Sequence, residues 1–207
     1  VLAVKRFQHA RFERTYADML ADRRYAQAAR FFLEDLYGPH DFSQRDGEFA
    51  RIVPALVRLF PREIVGTVEA LAELHALSEA LDGRMAQVVE DFADPCLSGA
   101  AYGRAWRAVG EPEARERQVA LMLEVGAAID RYTRKPLLRQ TLRLMRGPAQ
   151  AAGLSSLQRF LETGFDTFGR MGGAGDFLKT IAVRERALSA QLFGGEDVFV
   201  QGSGQVP

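Results

Sequence analysis

The chain offers almost no sulfur chemistry. Cys96 is the one cysteine in 207 residues. A single thiol closes no internal disulfide, so a reducing, cytoplasmic setting is expected. Net charge is lacking too: 27 basic residues balance 27 acidic ones. That balance excludes a whole-molecule field drawing the protein to nucleic acid or to a membrane surface. No apolar run approaches the ~20 residues needed to span a bilayer. Lysine is scarce, found only at Lys5, Lys135 and Lys179, so arginine carries nearly all the positive charge; with the abundant alanine and glycine this usage suggests a GC-rich bacterial genome. Strand signals are nearly missing. Apart from EDVFVQ near the end, no segment sustains apolar and polar alternation, and Asp46-Gly47 and Asp82-Gly83 read better as helix boundaries than as hairpin turns. Walker A, Gly-x-Gly-x-x-Gly and Gly-x-Ser-x-Gly patterns do not occur.

What the chain does have is helical period. Apolar residues make up 47% of it, and a chain of this size buries roughly 70% of its unfolded surface without a metal or a disulfide. The spacing predicts helices over about 4–21, 23–37, 46–60, 62–82, 84–93, 99–109, 113–133, 136–146, 154–171 and 176–193. Gly38-Pro39 and Gly83 are expected to end helices, and Pro54 to kink one. Loops are short and no repeat or low-complexity linker is present. The expected fold is therefore all-α: a single helical bundle of about nine or ten helices over residues 1–195, with 196–207 as a flexible tail.

Three constellations carry candidate chemistry. The first is His75, which a helical wheel places between Ile64, Val68 and Leu71 on an apolar arc. There it can serve as a ligand to haem or another cofactor, though a lone histidine on such a face is more often a satisfied core residue. No Glu-x-x-His or His-x-x-x-His pair supports a metal site, so no metal ligands and no other cofactor are expected. The second is RYTRKPLLRQTLRLMRGP, residues 131–148, which holds no acid. Lys135, Arg139, Arg143 and Arg146 share one side of an amphipathic helix, with Leu137, Leu138, Leu144 and Met145 beside them. This surface suits an acidic protein partner or a small anionic ligand. Its plainer reading is pairing with the acid-rich segment 62–94. Tyr132 is the only aromatic residue in the stretch, which makes nucleic acid an unlikely partner. The third is the turn after FFLEDLYGPHDFSQRD, residues 31–46. Asp35, Tyr37, His40, Asp41 and Arg45 bring together groups suited to acid–base work, yet YGP also reads simply as a helix terminator. GGAG at 172–175 is a glycine hinge before a helix N-terminus, able to bind an anion or only to connect helices.

FFLEDLYGPHDFSQRD, followed by RIVPALVRLFP and by RERALSAQLF near the end, resembles a group of uncharacterised bacterial all-helical proteins. The resemblance covers most of the chain and implies no known activity, so it assigns no catalytic residue. The function expected first is a non-enzymatic binding or protein-interaction module using the 31–46 turn and the basic helix. The alternatives are a globin-like haem pocket on His75 and an enzyme with acid–base residues in the 31–46 turn.

Overall fold

In the computed structural model, residues 1–36, 47–48, 51–52, 62–90, 97–196 and 198–199 are described. Every regular element among them is helical, as the apolar spacing predicts. The order is α1 (Leu2–Thr15), α2 (Ala17–Ala21), α3 (Ala26–Phe31) running into a π-helical turn (Phe32–Leu36), α4 (Arg62–Glu90), α5 (Gly99–Val109), α6 (Pro112–Thr133), α7 (Pro136–Leu144), α8 (Arg146–Ala151), α9 (Ser155–Met171) and α10 (Gly175–Gly194). The predicted helix 46–60 falls largely outside the described residues.

Two boundaries differ from the sequence expectation. The single helix expected over 4–21 breaks at Tyr16, whose backbone leaves the helical region and whose phenol is buried and bound to Glu185. Conversely, α4 continues through Gly83 to Glu90. Glycine within a helix costs about 1 kcal/mol, and the continuing buried line of Leu81, Met85, Ala86 and Val89 outweighs it at about 1.5–3 kcal/mol per large apolar side chain.

The interior has two apolar compartments. The larger one gathers Phe12, Met19, Phe31, Phe32, Leu33, Leu74, Leu121, Phe168, Phe177 and Ile181 from α1 to α4, α6, α9 and α10. Phe32 and Phe168 both lean on Phe177, and Phe31 stacks on Phe160 at 5.3 Å. The aromatic half of the FFLEDLYGP motif is thus core. The smaller compartment holds Val4, Met85, Ala86, Val89, Tyr102, Ala105 and Leu192. Val198 and Phe199 pack against it. Gly99 makes this possible: a Cβ there would lie 2.2 Å from the Phe199 Cβ.

Between the compartments lies a polar layer. On α1 it falls between Phe7 and Phe12 and comprises Gln8 and Arg11; on α4 it is Asp82; on α10 it is Glu185. Arg11 and Tyr16 both donate to Glu185, and Gln8 donates to Asp82 at 2.9 Å and reaches the Tyr102 hydroxyl at 3.4 Å. Arg115 of α6 completes the layer, lying over Trp106 of α5.

Two helix starts are capped from a distance. The Leu157 N–H near the start of α9 donates to Glu48, a carboxylate only 1% exposed. The Ala174 N–H at the start of α10 donates to Asp130, and Arg24 donates to the Met171 and Gly173 carbonyls. The GGAG hinge therefore already has a carboxylate of its own chain at the helix N-terminus. Gly172 and Gly173 adopt positive φ of 69° and 125° to make the turn, a region where side-chain-bearing residues are strained.

Candidate interaction surface

Among the described helices, α7 stands apart in how little it buries. Its sequence, PLLRQTLRL, has apolar residues at 137, 138, 142 and 144, and Pro136 at the first turn sets its start. None of its nine residues is buried. Leu138 and Leu142 are half-covered on the side facing the bundle, whereas Leu137 is 75% exposed, Leu144 78% and the following Met145 42%. Leu137, Thr141 and Leu144 fall at i, i+4 and i+7, so they form one stripe. Leu137 and Leu144 thus present apolar side chains to solvent along one line of the helix.

The cations expected along this helix are present and mostly engaged. Arg139 meets Asp166 of α9 through Nε at 2.9 Å and Nη2 at 2.8 Å. Arg146 forks onto Glu162 of α9, and Gln158 holds both the Leu142 carbonyl at 2.6 Å and Glu162 at 2.8 Å. The Glu162 carboxyl is held below its ordinary range, first by the Arg146 hydrogen bonds. Lys135 and Arg131 lie 3.7 and 3.8 Å from Glu63 at the start of α4. Tyr132 locks that corner through the Glu63 carbonyl and Thr67. Arg143 makes no ion pair among the described residues; it lines a shallow pocket with Arg139, Leu142, Glu162, Phe165 and Asp166.

Among the described residues, the expected pairing with the 62–94 segment is found at Lys135 and Arg131. Arg139 and Arg146 turn instead to α9, and Asp166 and Glu162, which the charge pattern did not single out, anchor them. These pairs are largely solvent-exposed, so water and salt screen them. They set the helix's orientation more than its stability.

The other two constellations fare differently. His75 is not on a buried arc: it lies on the exposed side of α4, while the buried line runs through Ala70, Leu74 and Leu81. Ile64, Val68 and Leu71, which anchored the wheel, are only half-buried. The α4 core face is centred about one residue away, a rotation of roughly 100°. No group of three or more His, Cys, Asp or Glu residues suited to a metal ion occurs among the described residues. In the turn constellation, Asp35 sits in the π-helical turn, and Tyr37, His40, Asp41 and Arg45 lie outside the described residues. None of the described helices is long and apolar enough to cross a membrane.

A family model described as a domain of unknown function, DUF8198, matches residues 1–198. The chain belongs to the DUF8198 family. Its match ends at Val198, beside the Phe199 packing described above, and so takes in nearly all of the described fold. No curated protein matches the chain, and no solved structure does. DUF8198 membership agrees with the resemblance to an uncharacterised family and assigns no activity to any residue.

Proposed function

We propose that the protein is a non-enzymatic interaction module and that α7 with its flanks is its docking surface. The partner presents apolar side chains bordered by carboxylates. The observation that supports this is the outward stripe of Leu137, Leu144 and Met145 on a helix with no buried residue. Charge complementarity selects the partner's sign: Arg131, Arg134, Lys135, Arg139, Arg143 and Arg146 surround the stripe, and Arg143 has no carboxylate of its own among the described residues. Rim charges of this kind steer association and fix register, while the apolar centre supplies most of the affinity. Phe32 and Leu33 of the π-helical turn, and Phe31 before it, are spent on the core. His75 lies on the exposed side of α4, so the described residues lend the haem alternative no support.

The test is site-specific photo-crosslinking from position 144 in cells of the source organism, compared with Leu137→Asp/Leu144→Asp and Arg143→Glu variants. One acidic protein should be trapped by the parent, lost in the double variant and weakened in Arg143→Glu. Melting temperatures should stay unchanged, because these side chains bury little. Crosslinks that survive in both variants would dispose of the proposal. Binding of the purified chain to phosphatidylglycerol vesicles through the same residues would replace it with a membrane-surface role.

A further inference from the structure

A different part of the molecule has an unmet chemical demand. Arg115 is 4% exposed, and its Nε and Nη2 have no hydrogen-bond acceptor. Those two N–H groups form the edge of the guanidinium that takes a carboxylate in two parallel bonds. This chain uses that edge so at three other arginines. Arg117 grips Glu73 through it at 2.7 and 2.6 Å, Arg186 grips Glu116, and Arg146 grips Glu162. Arg115 alone among these is buried, and it alone lacks its carboxylate.

The buried acid whose charge reaches Arg115 does not fill the role. Asp82 is also buried and feels Arg115 electrostatically, but its hydrogen bond is to Gln8 and it forms no ion pair with Arg115. Two further buried donors, Arg11 Nε and Trp106 Nε1, are likewise without acceptors. Among the described residues, every buried side-chain polar atom left unsatisfied is therefore an N–H donor; what the layer lacks is acceptors. An uncompensated buried cation is among the costliest features a fold can keep. Burial pulls the Arg115 guanidinium down to about 10, opposed by Tyr102 and Asp82. The surroundings are aromatic: the guanidinium carbon lies 3.3 Å from the Trp106 ring centroid, Tyr102 is 5.9 Å from Trp106, and Phe7 stacks on Tyr102 at 4.4 Å.

We infer that the Arg115 fork, walled by Trp106 and Tyr102, is a binding site for a small organic monocarboxylate. The carboxylate takes Nε–H and Nη2–H side by side, and a short apolar body faces the rings. The site is independent of the α7 surface and shares no residue with it.

Trp106 is the only tryptophan in the chain, so the site carries its own reporter. Purified full-length protein is titrated with acetate and with butyrate at constant ionic strength, against chloride as control. Trp106 fluorescence should change saturably with a carboxylate and not with chloride, and the melting temperature should rise in step. Arg115→Met should abolish both responses while melting no lower than the parent in carboxylate-free buffer, since an apolar side chain replaces a buried charge. Arg115→Lys, which keeps charge but not the fork, should weaken binding on the order of tenfold. Asp82→Asn should tighten it, by removing a repelling carboxylate. A flat response to both acids would mean that ordered water satisfies the donors, and the inference fails. It also fails if Asp82→Asn lowers the melting temperature as the loss of an ion-pair partner does, because Asp82 would then be the carboxylate that Arg115 holds.

Discussion

Glu185 on α10 accepts hydrogen bonds from both Arg11 and Tyr16, the latter at 2.7 Å, and so ties the last helix to the first. Burial, and then the Glu185 carboxylate, hold the Tyr16 phenol well above its ordinary range. The RERALSAQLF segment is a brace, with each charge matched: Arg184 forks onto Asp18 at 2.7 Å for both bonds, and Arg186 grips Glu116 of α6. Replacing Glu185 with Leu strands Arg11 and should cost ~3 kcal/mol in urea unfolding. The double variant Arg11→Met/Glu185→Leu should recover most of that loss, and the difference between the two measures the coupling.

Two glycines predict opposite outcomes for the same substitution. A Cβ at Gly164 would sit 2.9 Å from the Phe31 ring, which is itself buried and stacked on Phe160. Gly164→Ala should destabilise by about 1–2 kcal/mol, overpacking outweighing the gain in helix propensity. Gly83 has open space around its would-be Cβ, so Gly83→Ala should stabilise α4 by about 0.5–1 kcal/mol. Thermal melts of the two variants decide both.

Gly99 and Phe199 are predicted to act as a unit. Gly99→Ala should expel the Phe199 ring from beside Phe7 and Tyr102, at a cost of about 1–3 kcal/mol. Phe199→Ala should cost a similar amount, and the double variant no more than the worse single one. Fluorine resonance from a fluorinated phenylalanine at 199 reports the displacement directly.

Stability should fall in acid. Asp18, Glu73, Glu116 and Glu162 have pKa values lowered first by hydrogen bonds from Arg184, Arg117, Arg186 and Arg146. A lowered folded value means stability present above the ordinary 3.8–4.5 range and lost as pH drops through the folded value. Asp82 runs the other way. Burial raises its carboxyl, so its ionisation weakens the fold as pH climbs above 3.8. Asp82→Asn should therefore raise the neutral-pH melting temperature, leave the acid one unchanged and steepen the fall between them.

How much of this was legible in the sequence depends on what each residue's neighbours in the chain reveal. Helix α5 reads correctly to the residue over 99–109, because Ser98 caps it and Gly110 ends it with positive φ. The amphipathic character of α7 is equally plain, but which side meets the bundle is set by where α9 lies. So Asp166 and Glu162 were missed as the partners of Arg139 and Arg146. His75 was misplaced because half-buried Ile64, Val68 and Leu71 define a face rotated from the one that packs. Arg115 was invisible for a different reason. It sits in EPEARERQ, a charge-rich run that reads as solvated surface, and only the approach of α5 and α4 encloses it.

The polar layer has a mechanical consequence. Helices α1, α4 and α10 pass from one greasy chamber to the other, and across the seam they are joined by hydrogen bonds and charges instead of interlocking hydrocarbon. Water that enters this seam can solvate both of its faces, so the molecule's plane of easiest parting runs through Asp82, Arg115 and Glu185.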